Sequence, residues 1–195
     1  MYKQWLGGIL FVLLGGILVP KQAQATVMIY MDTEELTKRA QVVVRGTVVQ
    51  QQVVEIQGHL WTDSYVRVDE GLKGGLGSRQ TMIVRQPGGD TVVVGERVAG
   101  AARFSVGEEV LVLARPVSHF FVPVGMCLGK YRIVRGANGS PWAERDLHGA
   151  AFAAFAPNGR FTLLHQPTQR QSRPLAELVQ SIRLQIKRTK KGGGR

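Results

Sequence analysis

The 195-residue chain has a single cysteine, Cys127, so no disulfide can form within it. A lone thiol between Met126 and Leu128 is typical of a small buried side chain, and the fold must then be stabilised by its core alone. Aromatic residues make up only 7% of the chain. Barrels that bind nucleic acid stack the bases on aromatic side chains, so this scarcity disfavours a nucleic-acid partner.

Motifs for catalysis and metal binding are also lacking. No Gly-x-Ser-x-Gly or Cys-x-x-Cys occurs, and the glycine-rich residues 71–77 lack the Gly-Lys-Ser/Thr ending of a phosphate loop, which leaves Lys73 as a solvated loop charge. No histidine pair has local metal-ligand spacing. We therefore expect no catalytic residue, no metal and no cofactor. A hydrolase with a site built from loops stays the third alternative, with Ser64 beside Asp63 and His59 as its candidate residues. The histidines considered are His59, His119, His148 and His165.

Acidic residues are scarce, with 14 Asp and Glu against 25 Lys and Arg, and the formal net charge is +11. Such a balance concerns partners and solubility rather than the fold. The first 25 residues predict export, because Lys3 precedes an apolar stretch at residues 6–19 and Ala23-Gln-Ala25 is a small-x-small cleavage site. The stretch is short and contains two Gly-Gly pairs, which favours a cleaved signal peptide over an uncleaved anchor. We expect a periplasmic or extracellular protein beginning at Thr26.

The remainder of the chain predicts a mostly β fold. Residues 41–55 and 59–70 are rich in valine and alternate between apolar and polar side chains, as β-strands do. Gly46 inside the first run predicts a bulge or a tight bend. A Pro-Gly-Gly turn is expected at residues 86–90 and a hairpin turn at Asn138-Gly139. Further strands are predicted at residues 80–85, 91–94, 110–114, 119–124, 130–135 and, as an edge strand, 141–146.

Two helices flank the predicted strands. Asp32 followed three residues later by Glu35 is a capping box, which predicts a short helix over residues 33–40. Residues 174–187 carry an apolar stripe behind Pro174, a residue favoured at the start of a helix. We expect a signal peptide at residues 1–25, a β domain at residues 26–165, a linker at residues 166–173, this amphipathic helix at residues 174–187 and a basic disordered tail at residues 188–195.

The order of these motifs resembles a known class of β-barrel. Ala40-Gln-Val-Val-Val-Arg-Gly-Thr-Val, Tyr65-Val-Arg-Val, Leu72-Lys-Gly74 and Phe104-Ser-Val-Gly-Glu-Glu-Val-Leu-Val are similar to motifs of exported bacterial β-domains of the netrin/TIMP-like OB-fold class. The resemblance implies an OB-like barrel of five or six strands with added hairpins. TIMP-type inhibitors chelate a protease zinc through an N-terminal cysteine, which Thr26 cannot provide, so that mechanism is not implied.

The function predicted from these features is a non-catalytic binding module that recognises a protein or an anionic envelope polymer or lipid surface. An accessory or modulator of a secreted peptidase is the alternative. Trp61, Tyr65 and Arg67 have odd numbers and would share one face of a strand. Two sets of partner-binding residues are predicted. The barrel set is Trp61, Tyr65, Arg67, Lys130 and Arg132, and the C-terminal set for an anionic surface is Arg183, Lys187, Arg188, Lys190, Lys191 and Arg195.

Overall fold

The computed structural model describes residues 27–147, 149–155, 160–164 and 170–192. The predicted signal peptide, His148, His165 and Arg195 lie outside these residues. The described part is mostly β, with two α-helices and one 3-10 helix at Met126–Gly129. The helices are α1 (Thr33–Arg39) and α2 (Leu175–Gly192). The strands are β1 (Val27–Ile29), β2 (Val42–Ile56), β3 (His59–Lys73), β4 (Thr81–Pro87), β5 (Gly89–Asp90), β6 (Gly95–Glu96), β7 (Glu109–Val117), β8 (Phe120–Pro123), β9 (Lys130–Arg135), β10 (Pro141–Asp146), β11 (Ala151–Phe155), β12 (Phe161–Leu163) and β13 (Arg170–Pro174).

Five strands close into a ring in the order β2, β3, β4, β8, β7 and back to β2. Four of the contacts are antiparallel, and the fifth, between β4 and β8, is a parallel contact at Val84 and Phe121. This arrangement is an OB-like barrel, so the predicted fold class is confirmed. The register of β2 against β3 shifts beside Gly46, which confirms the predicted irregularity there.

The interior of the ring is filled by side chains that alternate along each strand. They are mostly valines, because β-branched side chains pack well on a pleated sheet. Burying a side chain of this size contributes about 1.5–3 kcal/mol relative to leaving it exposed. The buried set is Val42, Val44, Val48, Val66, Val68, Met82, Val84, Ala102, Phe104, Val110, Val112 and Ala114.

A second core lies outside the ring. β9, β10 and β13 extend the sheet from β7, and both helices contribute buried residues that pack together with side chains from these strands. Leu36 of α1 and Leu178 and Ile182 of α2 are fully buried there. A small sheet of β1, β11 and β12 adds Phe152 to the same core. The amphipathic helix therefore packs on the protein through its apolar stripe.

The short helix α1 is capped at both ends. The Asp32 carboxylate accepts a hydrogen bond from the Glu35 backbone N–H at 2.8 Å, as the capping box predicts. At the other end, Lys73 Nζ donates to the carbonyls of Thr37 and Ala40 at 2.9 and 2.5 Å. The prediction that Lys73 is a solvated loop charge was therefore wrong, since it binds helix carbonyls that have no partner within the helix. Burial lowers the pKa of Lys73 below its ordinary value.

The C-terminal region differs from the prediction in two places. Residues 170–174 form β13, paired with β10 from Trp142 to Asp146, so this part of the expected linker is a strand and β10 is no edge strand. Helix α2 continues to Gly192. The prediction of a disordered tail from residue 188 was therefore wrong for residues 188–192, which are helical.

The region after β4 also differs. β4 continues to Pro87, and Gly88 adopts a φ of +90° before β5. Residues 91–94, predicted as a strand, form the turn between β5 and β6, where the Thr91 backbone N–H donates to the Val94 carbonyl at 2.8 Å. Val92 and Val93 stand fully exposed at this tip, so apolar character alone misled the prediction. Among the described residues, no helix has the length and apolar character needed to cross a membrane.

Candidate functional site

The outer surface of β2, β3 and β4 carries the aromatic residues that the sequence singled out. Directly opposed residues of neighbouring strands share a face. Trp61 lies between Val54 and Pro87, and Tyr65 lies between Gln50 and Ile83. We call this surface the aromatic face. Its residues are Gln50, Gln52 and Val54 of β2, Trp61, Asp63, Tyr65 and Arg67 of β3, Ile83, Arg85 and Pro87 of β4, and Phe120 of β8.

An ion pair lies at the centre of the aromatic face. Arg85 Nε and Nη2 each donate to an oxygen of Asp63 at 2.6 Å, and only 13% and 8% of the two side chains is exposed. The guanidinium also lies over the Phe120 ring, 4.3 Å from its centroid. The hydrogen bond to Asp63 is the main cause that raises the pKa of Arg85. Through these contacts Arg85 links side chains of β3, β4 and β8.

Arg67 lies at one end of the aromatic face. It is opposed by Thr47 and Thr81, its side chain is 54% exposed, and its Nε is 3.9 Å from Asp69. Trp61, Tyr65 and Arg67 therefore do share one face of β3. Sequence reasoning missed Arg85 and Phe120. Arg85 could have been found from the sequence, because the register of β3 against β4 places it opposite Asp63. Phe120 could not, because it comes beside them only when β8 closes the ring.

Lys130 and Arg132 do not belong to the aromatic face. They lie on β9, which is separated from β3 by β7 and β2 in the sheet. Lys130 is buried, and its Nζ donates to Glu108 at 2.5 Å and to the Arg103 carbonyl at 2.6 Å. Burial lowers the pKa of Lys130, and Glu108 opposes this effect. The predicted barrel set is thus divided between two surfaces, and Lys130 has a structural role.

The basic residues of the C-terminal set that fall within the described part of the chain lie on the exposed side of α2. Arg183 Nη2 is 2.5 Å from Glu70, and Arg188 Nη1 is 3.9 Å from Glu34. Within the described part of the chain, no ion pair includes Lys187, Lys190 or Lys191. Because α2 is helical to residue 192, these cations follow a regular surface and are not carried by a flexible tail.

The candidate hydrolytic residues are not arranged for catalysis. Ser64 is fully buried inside the ring, where its Oγ accepts from Gln51 Nε2 at 3.0 Å. His59 is exposed on the other side of β3, and its Nδ1 lies 3.2 Å from Glu96. The main cause that lowers the pKa of Glu96 is a hydrogen bond from the Leu60 backbone N–H. Ser64 therefore has neither the exposure nor the partner of a nucleophile.

The described surface includes the following three concavities. One of about 340 Å³ opens at the end of the ring beside Gln51, Thr62 and Gln86. The second, of about 260 Å³, lies beside Lys130 and includes Cys127, whose pKa is raised to about 11 by burial. The third, of about 500 Å³, lies along α2. The described residues contain no cluster of three His, Cys, Asp or Glu side chains that could hold a metal ion.

Fold and site together define an OB-like barrel with an aromatic outer face and two packed helices. The sequence matches no protein-family model and no curated protein.

Proposed function

We propose that this protein is an exported, non-catalytic binding module, and that the aromatic face is the surface that contacts a protein partner. One observation supports this proposal most directly. The face combines Trp61, Tyr65, Phe120 and the exposed Arg67, it includes neither Lys nor Glu, and its one acidic residue, Asp63, is buried in the pair with Arg85. Aromatic residues and Arg are enriched at protein interfaces, whereas Lys and Glu are depleted.

The rigidity of the face also favours binding. Its residues project from paired strands, and the Asp63–Arg85 pair holds the centre in one geometry. A surface that is ordered before binding loses less conformational entropy when a partner arrives. Tyr and Trp add large contact areas with few rotatable bonds, which is why they dominate the energetics of many interfaces.

Affinity capture tests this proposal. The purified protein is immobilised and exposed to envelope and culture-supernatant fractions at low and high salt. We expect a protein captured at both salt concentrations and lost from Trp61→Ala and Tyr65→Ala. The matched control is Trp142→Ala, because Trp142 is a partly exposed tryptophan on β10, off the aromatic face.

A second pair of variants distinguishes specific binding by the aromatic face from non-specific binding through positive charge. Arg67→Ala removes an arginine of the aromatic face, and Arg135→Ala removes one of similar exposure on β9. Selective loss of capture in Arg67→Ala supports the proposal. Equal loss in both variants, or capture that vanishes in high salt, would instead indicate charge-driven adsorption to an anionic component.

The netrin/TIMP-like resemblance makes a secreted peptidase one partner to seek among the captured proteins. Modulation of a peptidase is therefore the alternative form of this proposal. It requires that a captured peptidase change its activity when the protein is added, and that Trp61→Ala abolish this change. A captured peptidase whose activity is unaffected would leave a binding module without a modulating role.

A further inference from the structure

The groove along α2 combines an apolar floor with a positively charged rim. Val179, Leu184 and Pro141 contribute apolar surface, and 49% of Leu184 is exposed. Arg45, Arg183 and Lys187 contribute positive charge. Glu70 is the one acidic residue among the groove's lining, and the groove has a volume of about 500 Å³.

Glu70 is already engaged by two of these cations. It lies 2.5 Å from Arg183 Nη2 and 3.9 Å from Arg45 Nη1, while Arg45 Nε is 3.8 Å from Glu109. Arg45, Arg183 and Lys187 together face the two carboxylates of Glu70 and Glu109, so three positive and two negative charges leave about +1 at neutral pH. The potential in the groove therefore favours an anion.

We propose that this groove binds a single-chain anionic amphiphile, with the carboxylate of a fatty acid as its head and the alkyl chain along the apolar floor. Charge complementarity with Arg45, Arg183 and Lys187 selects the anionic head. The exposed Leu184 and the half-buried Val179 select the alkyl chain, because burying apolar surface is the main source of affinity for such chains. This site lies on α2 and does not depend on the aromatic face.

The test is calorimetric titration of the purified protein with dodecanoate below its micelle concentration at pH 8. We expect saturable binding of one dodecanoate. Neutral dodecyl maltoside lacks the charged head and acetate lacks the chain, so both should bind at least tenfold more weakly. Equal binding of dodecyl maltoside would overturn the proposal, since adsorption would then be purely apolar.

Charge variants locate the site. Lys187→Gln should weaken dodecanoate binding by about two- to fivefold, as expected for one exposed ion pair, whereas Lys191→Gln on the same helix should not. Glu70→Gln removes the competing carboxylate and should tighten binding by a similar factor. If Glu70→Gln leaves the affinity unchanged or lowers it, the assigned head site is wrong.

Two further measurements test the contribution of the apolar floor and the binding of an alternative ligand, an acidic peptide. Leu184→Asn should weaken binding, whereas Val106→Asn, at a somewhat more exposed apolar residue in a turn, should not. A hexaglutamate peptide tests for an acidic protein segment. If hexaglutamate binds as tightly as dodecanoate and is blocked by Lys187→Gln, the groove recognises an acidic peptide and the amphiphile proposal fails.

Discussion

Breaking the Asp63–Arg85 pair should cost far more than loss of a surface ion pair. Both side chains are almost fully buried and share two hydrogen bonds of 2.6 Å. Removal of one partner leaves a buried charge without compensation, which typically costs about 3–5 kcal/mol. Asp63→Asn and Arg85→Met should therefore each lower the free energy of unfolding by about this amount in urea titrations followed by tryptophan fluorescence and circular dichroism.

The double variant Asp63→Asn/Arg85→Met provides the decisive comparison. It leaves no unpaired charge, so its cost should fall well below the sum of the two single costs. A coupling energy of up to about 3 kcal/mol is expected for residues in direct contact. Single costs below about 1 kcal/mol, or costs that simply add, would show that the pair does not stabilise the aromatic face as argued.

Three further predictions concern single sites. Burial raises the pKa of Cys127 from 9.0 to about 11 in the folded protein. Between pH 9 and pH 11 the thiol therefore ionises in the unfolded state but not in the folded state, and the free energy of unfolding falls as the pH rises. Between pH 7 and pH 10 the free energy of unfolding should fall by about 1.4 kcal/mol more in this protein than in Cys127→Ala. If urea titrations show the same difference between the two proteins at both pH values, this prediction is refuted. Arg145 is buried, and its Nε and Nη1 have no hydrogen-bond partner, so Arg145→Met should leave the melting temperature unchanged or raise it; a large decrease would contradict the reasoning. A Cβ at Gly46 would lie 2.3 Å from the Arg67 carbonyl, so Gly46→Ala should cost about 1–3 kcal/mol, whereas Gly77→Ala should not; equal urea midpoints would contradict this.

The barrel could be predicted because its strands are specified locally. Valine-rich alternation marked β2 and β3, and the irregularity at Gly46 followed from a single residue type. The same reasoning failed at residues 91–94, where three valines occupy a turn held by Thr91. Apolar residues in a short run do not by themselves distinguish a strand from an exposed tip.

The C-terminal region was harder to predict because its structure depends on distant partners. β13 is the polar sequence Arg170-Gln-Ser-Arg-Pro174, and it is a strand because β10 pairs with it. The sequence around Lys73 likewise does not indicate that its side chain binds the carbonyls of Thr37 and Ala40 at the end of α1, more than thirty residues earlier. Context of this kind overrides local propensity.

The candidate site was predicted only in part for the same reason. Alternation correctly placed Trp61, Tyr65 and Arg67 on one face, because the period of a strand is local. It could not separate Lys130 and Arg132 from them, since the position of β9 in the sheet depends on how all the strands pair. The role of all five residues in binding stays a prediction.

Site-specific photocrosslinking tests the central claim most directly. p-Benzoylphenylalanine is placed at Gln52, an exposed position of the aromatic face opposite Asp63, or at Arg135 on β9 as the control. The protein is irradiated with the envelope and supernatant fractions at high salt. A discrete crosslinked protein from position 52, absent from position 135 and absent when Trp61→Ala is added, is the predicted result. Crosslinks of equal yield from both positions, or none from position 52, would contradict the aromatic face as the contact surface.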